Sequence, residues 1–190
     1  ATERSLRRLT TLSLVHRFDD GAAWVHRWTA EGLGALSDAE AHRTRCRHAG
    51  TYRMWHVANE THHIDDAIEA VRNFLAGKWF DEAVAVAQEC LKARQRWQQT
   101  LGVAALAGEV LESLPESHGS YAVIADAEAR SHLTLGFTER ALARYRALLQ
   151  RYERLAAAEP DRADYQRDLS VSYERMGDLY RALGQGDDAR

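Results

Sequence analysis

The chain has 190 residues, 45% hydrophobic and 28% charged, enough to bury a sizeable core as one large domain or two small ones. A net charge of −3 with acids and bases interspersed gives no electrostatic footprint for nucleic acid. No stretch approaches the roughly 18 uncharged apolar residues of a membrane helix, and "ATERSLRRLT" at the N-terminus lacks the apolar core of a signal peptide. A cytoplasmic protein with no membrane or nucleic-acid partner is therefore expected.

In chain order, "LTTLSLVHRFDDGAAWVHRWTAEGLGAL" opens with two strand-like runs, 10–16 and 22–27, separated by an Asp-Asp-Gly turn and followed by a helix. A further helix is expected to start at Ser37, because "SDAE" is a capping box in which Ser37 and Glu40 satisfy each other's free amides. Beyond residue 30, alternating Val/Ile/Thr-rich runs nearly vanish, and Pro115 and Pro160 are the only prolines. Apolar spacing of three and four predicts helices over 64–77, 80–93, 100–114, 121–136, 139–158 and 164–184. The expected fold class is all-α. Cys46 and Cys90 fall in predicted helices and read as buried, reduced thiols.

Gly77, Gly136 and Gly184 each stand where a helix must end, and glycine adopts the left-handed cap conformation there without a Cβ penalty. An alanine follows at the fifth place after Gly184 (Ala189) and Gly136 (Ala141), and at the sixth after Gly77 (Ala83). Near the C-terminus, Tyr173, Met176, Gly177, Tyr180, Gly184 and Ala189 form an ordered set of aromatic, small and glycine positions. In order and spacing this set resembles the tetratricopeptide repeat, in which such residues let two antiparallel helices pack closely. An earlier unit keeps Ala129, Gly136, Ala141 and Tyr145, but has Glu128 and His132 where the repeat takes apolar or aromatic residues. Gly136 and Gly184 lie 48 residues apart, longer than that family's period of about 34, and a long helix over 138–158 takes up the excess. Between Gly77 and Gly136 there is room for one further helix, at about 97–113. The resemblance implies an antiparallel helical-hairpin superhelix. The final hairpin breaks off a few residues into its second helix, which suggests a piece of a longer array.

The segment "WVHRWTAEGL" resembles the end of the winged-helix domain in STAND-type (NACHT/NB-ARC-like) signalling ATPases, including bacterial defence relatives. In that family a histidine after an apolar residue senses the bound nucleotide. The resemblance places His26 in that role, with Arg27 where the family usually carries Asp. It implies three regions: a winged-helix remnant at 1–35, a helical arm at 36–76 and a repeat array at 77–190. It also implies that ATP or ADP belongs to a longer parent, for no G-x-x-x-x-G-K-[ST] loop occurs here and no cofactor is expected in this chain.

Other chemistry finds little support. Cys46, His48, His56, His62 and His63 cluster in sequence, but no pair has the i, i+4 spacing of the H-E-x-x-H kind, so no metal is expected. No G-x-S-x-G elbow or cysteine signature places a nucleophile beside a base, so no catalytic residue is assigned and the chain is not expected to be an enzyme. Tyr145, Tyr152, Tyr173 and Tyr180 are spaced for packing between helices. Arg140 and Arg144 are the ligand-groove candidates, able to clamp an acidic peptide or a terminal carboxylate. The function expected is binding of a protein or peptide ligand by a sensor segment of a STAND-type signalling ATPase. The alternative is a stand-alone scaffold binding peptide partners. An array with an exposed helix face can also self-associate.

Overall fold

The computed structural model describes residues 2–11, 15–17, 23–25, 38–182 and 184. A helix α1 (Thr2–Thr11) packs against the first strand of a short hairpin, β1 (Val15–Arg17) and β2 (Ala23–Val25), whose antiparallel register sets Val15 opposite Val25. The strand-like run predicted over 10–16 is thus shorter than expected. Its first residues belong to α1, where the Thr11 hydroxyl donates to the Arg7 carbonyl at 2.9 Å and holds the last turn helical.

Seven helices follow: α2 (Ala39–His56), α3 (Ile64–Ala76), α4 (Phe80–Arg96), α5 (Thr100–Ser113), α6 (Tyr121–Thr134), α7 (Thr138–Ala158) and α8 (Ala163–Ala182). The residue that caps α2 is Asp38, whose carboxylate accepts from the Ala41 amide at 2.7 Å, one place after the Ser37 expected from sequence. Ser37 itself lies outside the described residues. The end of α2 runs on as a π-helical turn, Val57–Thr61, closed by His62 in the left-handed region at φ 54°. Each helix from α2 to α8 packs against the next, and α3 also touches α5. The fold is an all-α run of antiparallel helical hairpins.

Three of the connections are the same turn. At the ends of α3, α4 and α6, one residue takes a positive φ: Lys78 at 58°, Gln98 at 56° and Gly136 at 79°. The next residue in each case sends its amide back five positions, from Trp79 to the Phe74 carbonyl, Gln99 to Arg94 and Phe137 to His132, at 2.8–2.9 Å. Five residues beyond the positive-φ position stand Ala83, Val103 and Ala141, all essentially fully buried. This corrects the reading of Gly77, which has φ −83° and is not the left-handed residue. Lys78 takes that place, which is why Ala83 is sixth after Gly77 rather than fifth. Gly77 is required for a close approach instead: a Cβ there would lie 2.8 Å from the Cys46 Cβ and 3.2 Å from the Arg43 carbonyl. That leaves room for α2, whose Arg43 donates through Nε to the Gly77 carbonyl at 3.2 Å and accepts from Trp79 Nε1 at 3.1 Å.

The core runs as one cluster from α3 to α8. Ala70, Ala83, Ala87, Ala107, Ala125, Ala129 and Ala141 are fully buried. These small residues let neighbouring helix backbones come close, while Val71, Val103, Val110 and Ile124 fill the layers between them. Cys46 and Cys90 are buried free thiols, and burial pushes both above the usual thiol value.

Candidate functional site

Helix α5 is antiparallel to α6, and α6 to α7, so α5 and α7 run in the same direction on either side of α6. They do not close over it. A groove of about 680 Å³ remains between them. Its α5 wall is Leu101, Ala104, Ala105, Gly108, Glu109 and Glu112, a single stripe at helical spacing. The α7 wall is Arg140, Ala143, Arg144 and Ala147, and Glu128 and His132 of α6 supply the floor. Glycine and alanine make up half of the two walls, Ala104, Ala105, Gly108, Ala143 and Ala147, and are too short to meet across the gap.

Charge is distributed unevenly in this groove. Glu128 is only 7% exposed, and its carboxylate pairs with Arg144 Nε at 2.5 Å. Glu109 is taken from the other side, where Arg72 of α3 forks onto it through Nε at 2.6 Å and Nη2 at 3.0 Å. Arg144 is thus committed to Glu128, and Arg72 is shared between Glu109 and Glu69 of its own helix. Arg140 lies over the Phe137 ring at 5.3 Å and meets no carboxylate among the described residues. Glu112, exposed at the far end, meets no cation among them. Leu101 and Phe137 are 67% and 43% exposed at the Arg140 end. The His132 ring packs edge-on to Phe137 with centroids 6.1 Å apart, and its Nδ1 is buried without a hydrogen-bond partner.

A second, smaller groove of about 410 Å³ opens between α6 and α8 over Tyr145, Leu148 and Tyr152 of α7. Its polar centre is Asp126, 6% exposed, which pairs with Arg130 at 2.9 Å and with Arg175, and accepts from the Tyr145 hydroxyl at 3.3 Å. One carboxylate thereby ties α6, α7 and α8 together. Burial, reinforced by the Asp126 charge, pushes the Tyr145 phenol up to about 12.

The residues expected from sequence fall into distinct groups. Arg140 and Arg144 do lie together in the larger groove, but only Arg140 is available as a clamp, since Arg144 is held by Glu128. Gly136 and Gly184 have positive φ, and Ala141, Tyr145, Tyr152 and Met176 are buried. Gly177 and Tyr180 are half-buried, with the Tyr180 hydroxyl accepting from Arg146 Nη2 at 2.8 Å. Tyr173 differs from the packing role expected of it: it is 51% exposed, and its hydroxyl reaches across to Glu153 on α7 at 2.6 Å. His26, Arg27 and Ala189 lie outside the described residues. Among the described residues no three His, Cys, Asp or Glu side chains converge as metal ligands; Cys46 instead contacts His42, and His56 lies 3.7 Å from Asp66. No helix among them is long and apolar enough to cross a membrane.

Sequence reasoning missed the α5 wall and the Glu128–Arg144 pair. A signal was present, for Glu128 and His132 are the two departures from the repeat pattern, and both face the groove. Comparison with protein-family models, with characterised proteins and with solved structures returns no match.

Proposed function

We propose that this chain is a tetratricopeptide-like module that binds a protein or peptide ligand in the groove between α5 and α7, without catalysis of its own. The observation that carries this reading is the groove itself: two parallel helices held apart by small residues, with apolar side chains exposed at one end and an unmatched charge at each end. The resemblance of "WVHRWTAEGL" extends the reading to a parent protein. In it, the array is the sensor of a STAND-type signalling ATPase, His26 belongs to the nucleotide-sensing switch, and ATP or ADP is held outside this chain.

The test is selection of a random-peptide display library on the whole chain, followed by binding of enriched peptides to an Ala104→Trp, Ala143→Trp variant whose groove is filled. Enriched peptides that bind the wild type and lose the variant support the groove. Absence of enrichment, or binding indifferent to the filled groove, removes it. The switch assignment is tested apart from this: His26→Ala in the parent is expected to raise basal activation. Unchanged basal activity would sink it and leave a scaffold.

A further inference from the structure

We propose, resting on the groove reading above, that the occupant is an α-helical segment of a partner protein. It is acidic in its first turn, basic about two turns later, and lies parallel to α5 and α7.

The first support is shape. Both walls are helical stripes with short side chains near their centres, Ala104 and Gly108 on α5 and Ala143 on α7, and the long side chain of Arg144 is drawn down to Glu128 on the floor. A third rod can therefore approach to the 8–10 Å axis separation usual for packed helices. The stripe from Leu101 to Glu112 spans about 17 Å at 1.5 Å per residue, three turns of a helix.

The second is charge. Glu128 contacts both α5 and α7: a Cβ on Gly108 would lie 3.2 Å from its carboxylate, and Arg144 pairs with it. Gly108 and Arg144 thus lie within reach of one carboxylate, and Ala104 and Arg140, each four residues earlier on helices running the same way, lie toward the same end of the groove. Glu112 is two turns further along, about 12 Å away. Glu109 and Arg144 are matched within the chain, and among the described residues that line the groove Arg140 and Glu112 are the charged ones without a partner of opposite sign. A ligand with one carboxylate and one cation two turns apart satisfies both.

The third is a precedent inside the molecule. Helix α3 packs on the other side of α5, runs parallel to it, carries Asp65 and Asp66 in its first turn, and reaches the α5 wall with Arg72 on Glu109. Acid first and base later also suits a helix on its own, because carboxylates near the N-terminus complement its dipole.

The test uses two capped, helix-stapled peptides of equal composition and identical Leu/Ile face. One carries Glu in its first turn and Arg eight residues later; the other reverses that order. Binding to the full chain is followed by fluorescence anisotropy. The acid-first peptide is expected to bind about tenfold more tightly, as two matched charge pairs allow, and raised salt is expected to narrow the gap. The exposed swap Arg140→Glu with Glu112→Arg, its fold checked by circular dichroism, is expected to reverse the order of preference. Equal affinity for the two peptides, or a preference that survives the swap, overturns the inference. So does failure of both peptides while selected extended peptides still bind the groove, a result that leaves the groove reading standing. Failure of the selected peptides as well takes both. Concentration-dependent dimers abolished by Ala104→Trp would make a second copy the occupant and overturn the partner helix.

Discussion

Arg144 and Glu128 form an ion pair of 2.5 Å that crosses from α7 to the floor of the groove on α6, with Glu128 almost wholly removed from water. A carboxylate buried to that extent is tolerable only while its partner remains. Arg144→Ala is expected to cost about 3 kcal/mol in urea unfolding, since it strands the charge. Replacing both partners by methionine is expected to cost less than that single change. A double variant as unstable as Arg144→Ala would mean that the pair is not what holds this contact.

The three equivalent turns predict opposite responses to glycine. Lys78 and Gln98 carry a Cβ in the left-handed region, where it costs about 1–2 kcal/mol. Lys78→Gly and Gln98→Gly are each expected to stabilise by about 0.5–1 kcal/mol, the relief being partly offset by glycine's greater freedom when unfolded. Gly136→Ala is expected to destabilise by about 1 kcal/mol although its Cβ would meet nothing within 4 Å, so the cost is conformational alone. Thermal unfolding of the three variants checks the set, and a loss of stability at Lys78→Gly would contradict the shared turn.

Gly50 illustrates the other use of glycine. A Cβ there would stand 2.6 Å from the Phe74 ring, itself 4% exposed, so α2 and α3 cannot keep their spacing. Gly50→Ala is expected to destabilise by about 1–3 kcal/mol from overpacking, more than the helix-propensity gain of up to about 1 kcal/mol. Adding Phe74→Leu should recover part of the loss in chemical denaturation, and no recovery would place the strain elsewhere.

The alkaline limit of the fold should depend on Tyr145. Its folded value of about 12 lies above the ordinary value of 10.0, so folding favours the neutral phenol. That contribution is whole below pH 10 and is lost as the pH rises from 10 to 12. Tyr145→Phe keeps Asp126 paired with Arg130 and Arg175, and is expected to flatten the decline of the denaturation midpoint across this window. Parallel declines for wild type and variant would show that the phenol does not carry it.

Much of the local structure was legible in the residues. Helices expected over 64–77, 100–114 and 139–158 are found at Ile64–Ala76, Thr100–Ser113 and Thr138–Ala158, because a 3.6-residue apolar period admits one regular structure. Boundaries set by particular side chains were less legible. Ser37 and Asp38 both make good caps, and only the backbone angles at Asp38 select it. The turn at Gln98 carries no glycine and left no mark beyond the interval between helices, since its hydrogen bonds involve backbone alone. For the groove, Arg140 and Arg144 were visible as an arginine face, and Glu128 and His132 as departures from a repeat.

The sequence by itself determined the helical class, the order of the helices from residue 64 onward, and the small residues placed to let them pack. Those follow from periodicity and residue size, which are properties of neighbours along the chain. Only the tertiary structure decided that α3 closes onto α5 while α7 stands off from it, that Glu109 and Arg144 are spent on internal partners, and that Arg140 and Glu112 are not paired among the described residues. Whether a charge is matched depends on what lies across a gap tens of residues away in sequence, and no local pattern encodes that.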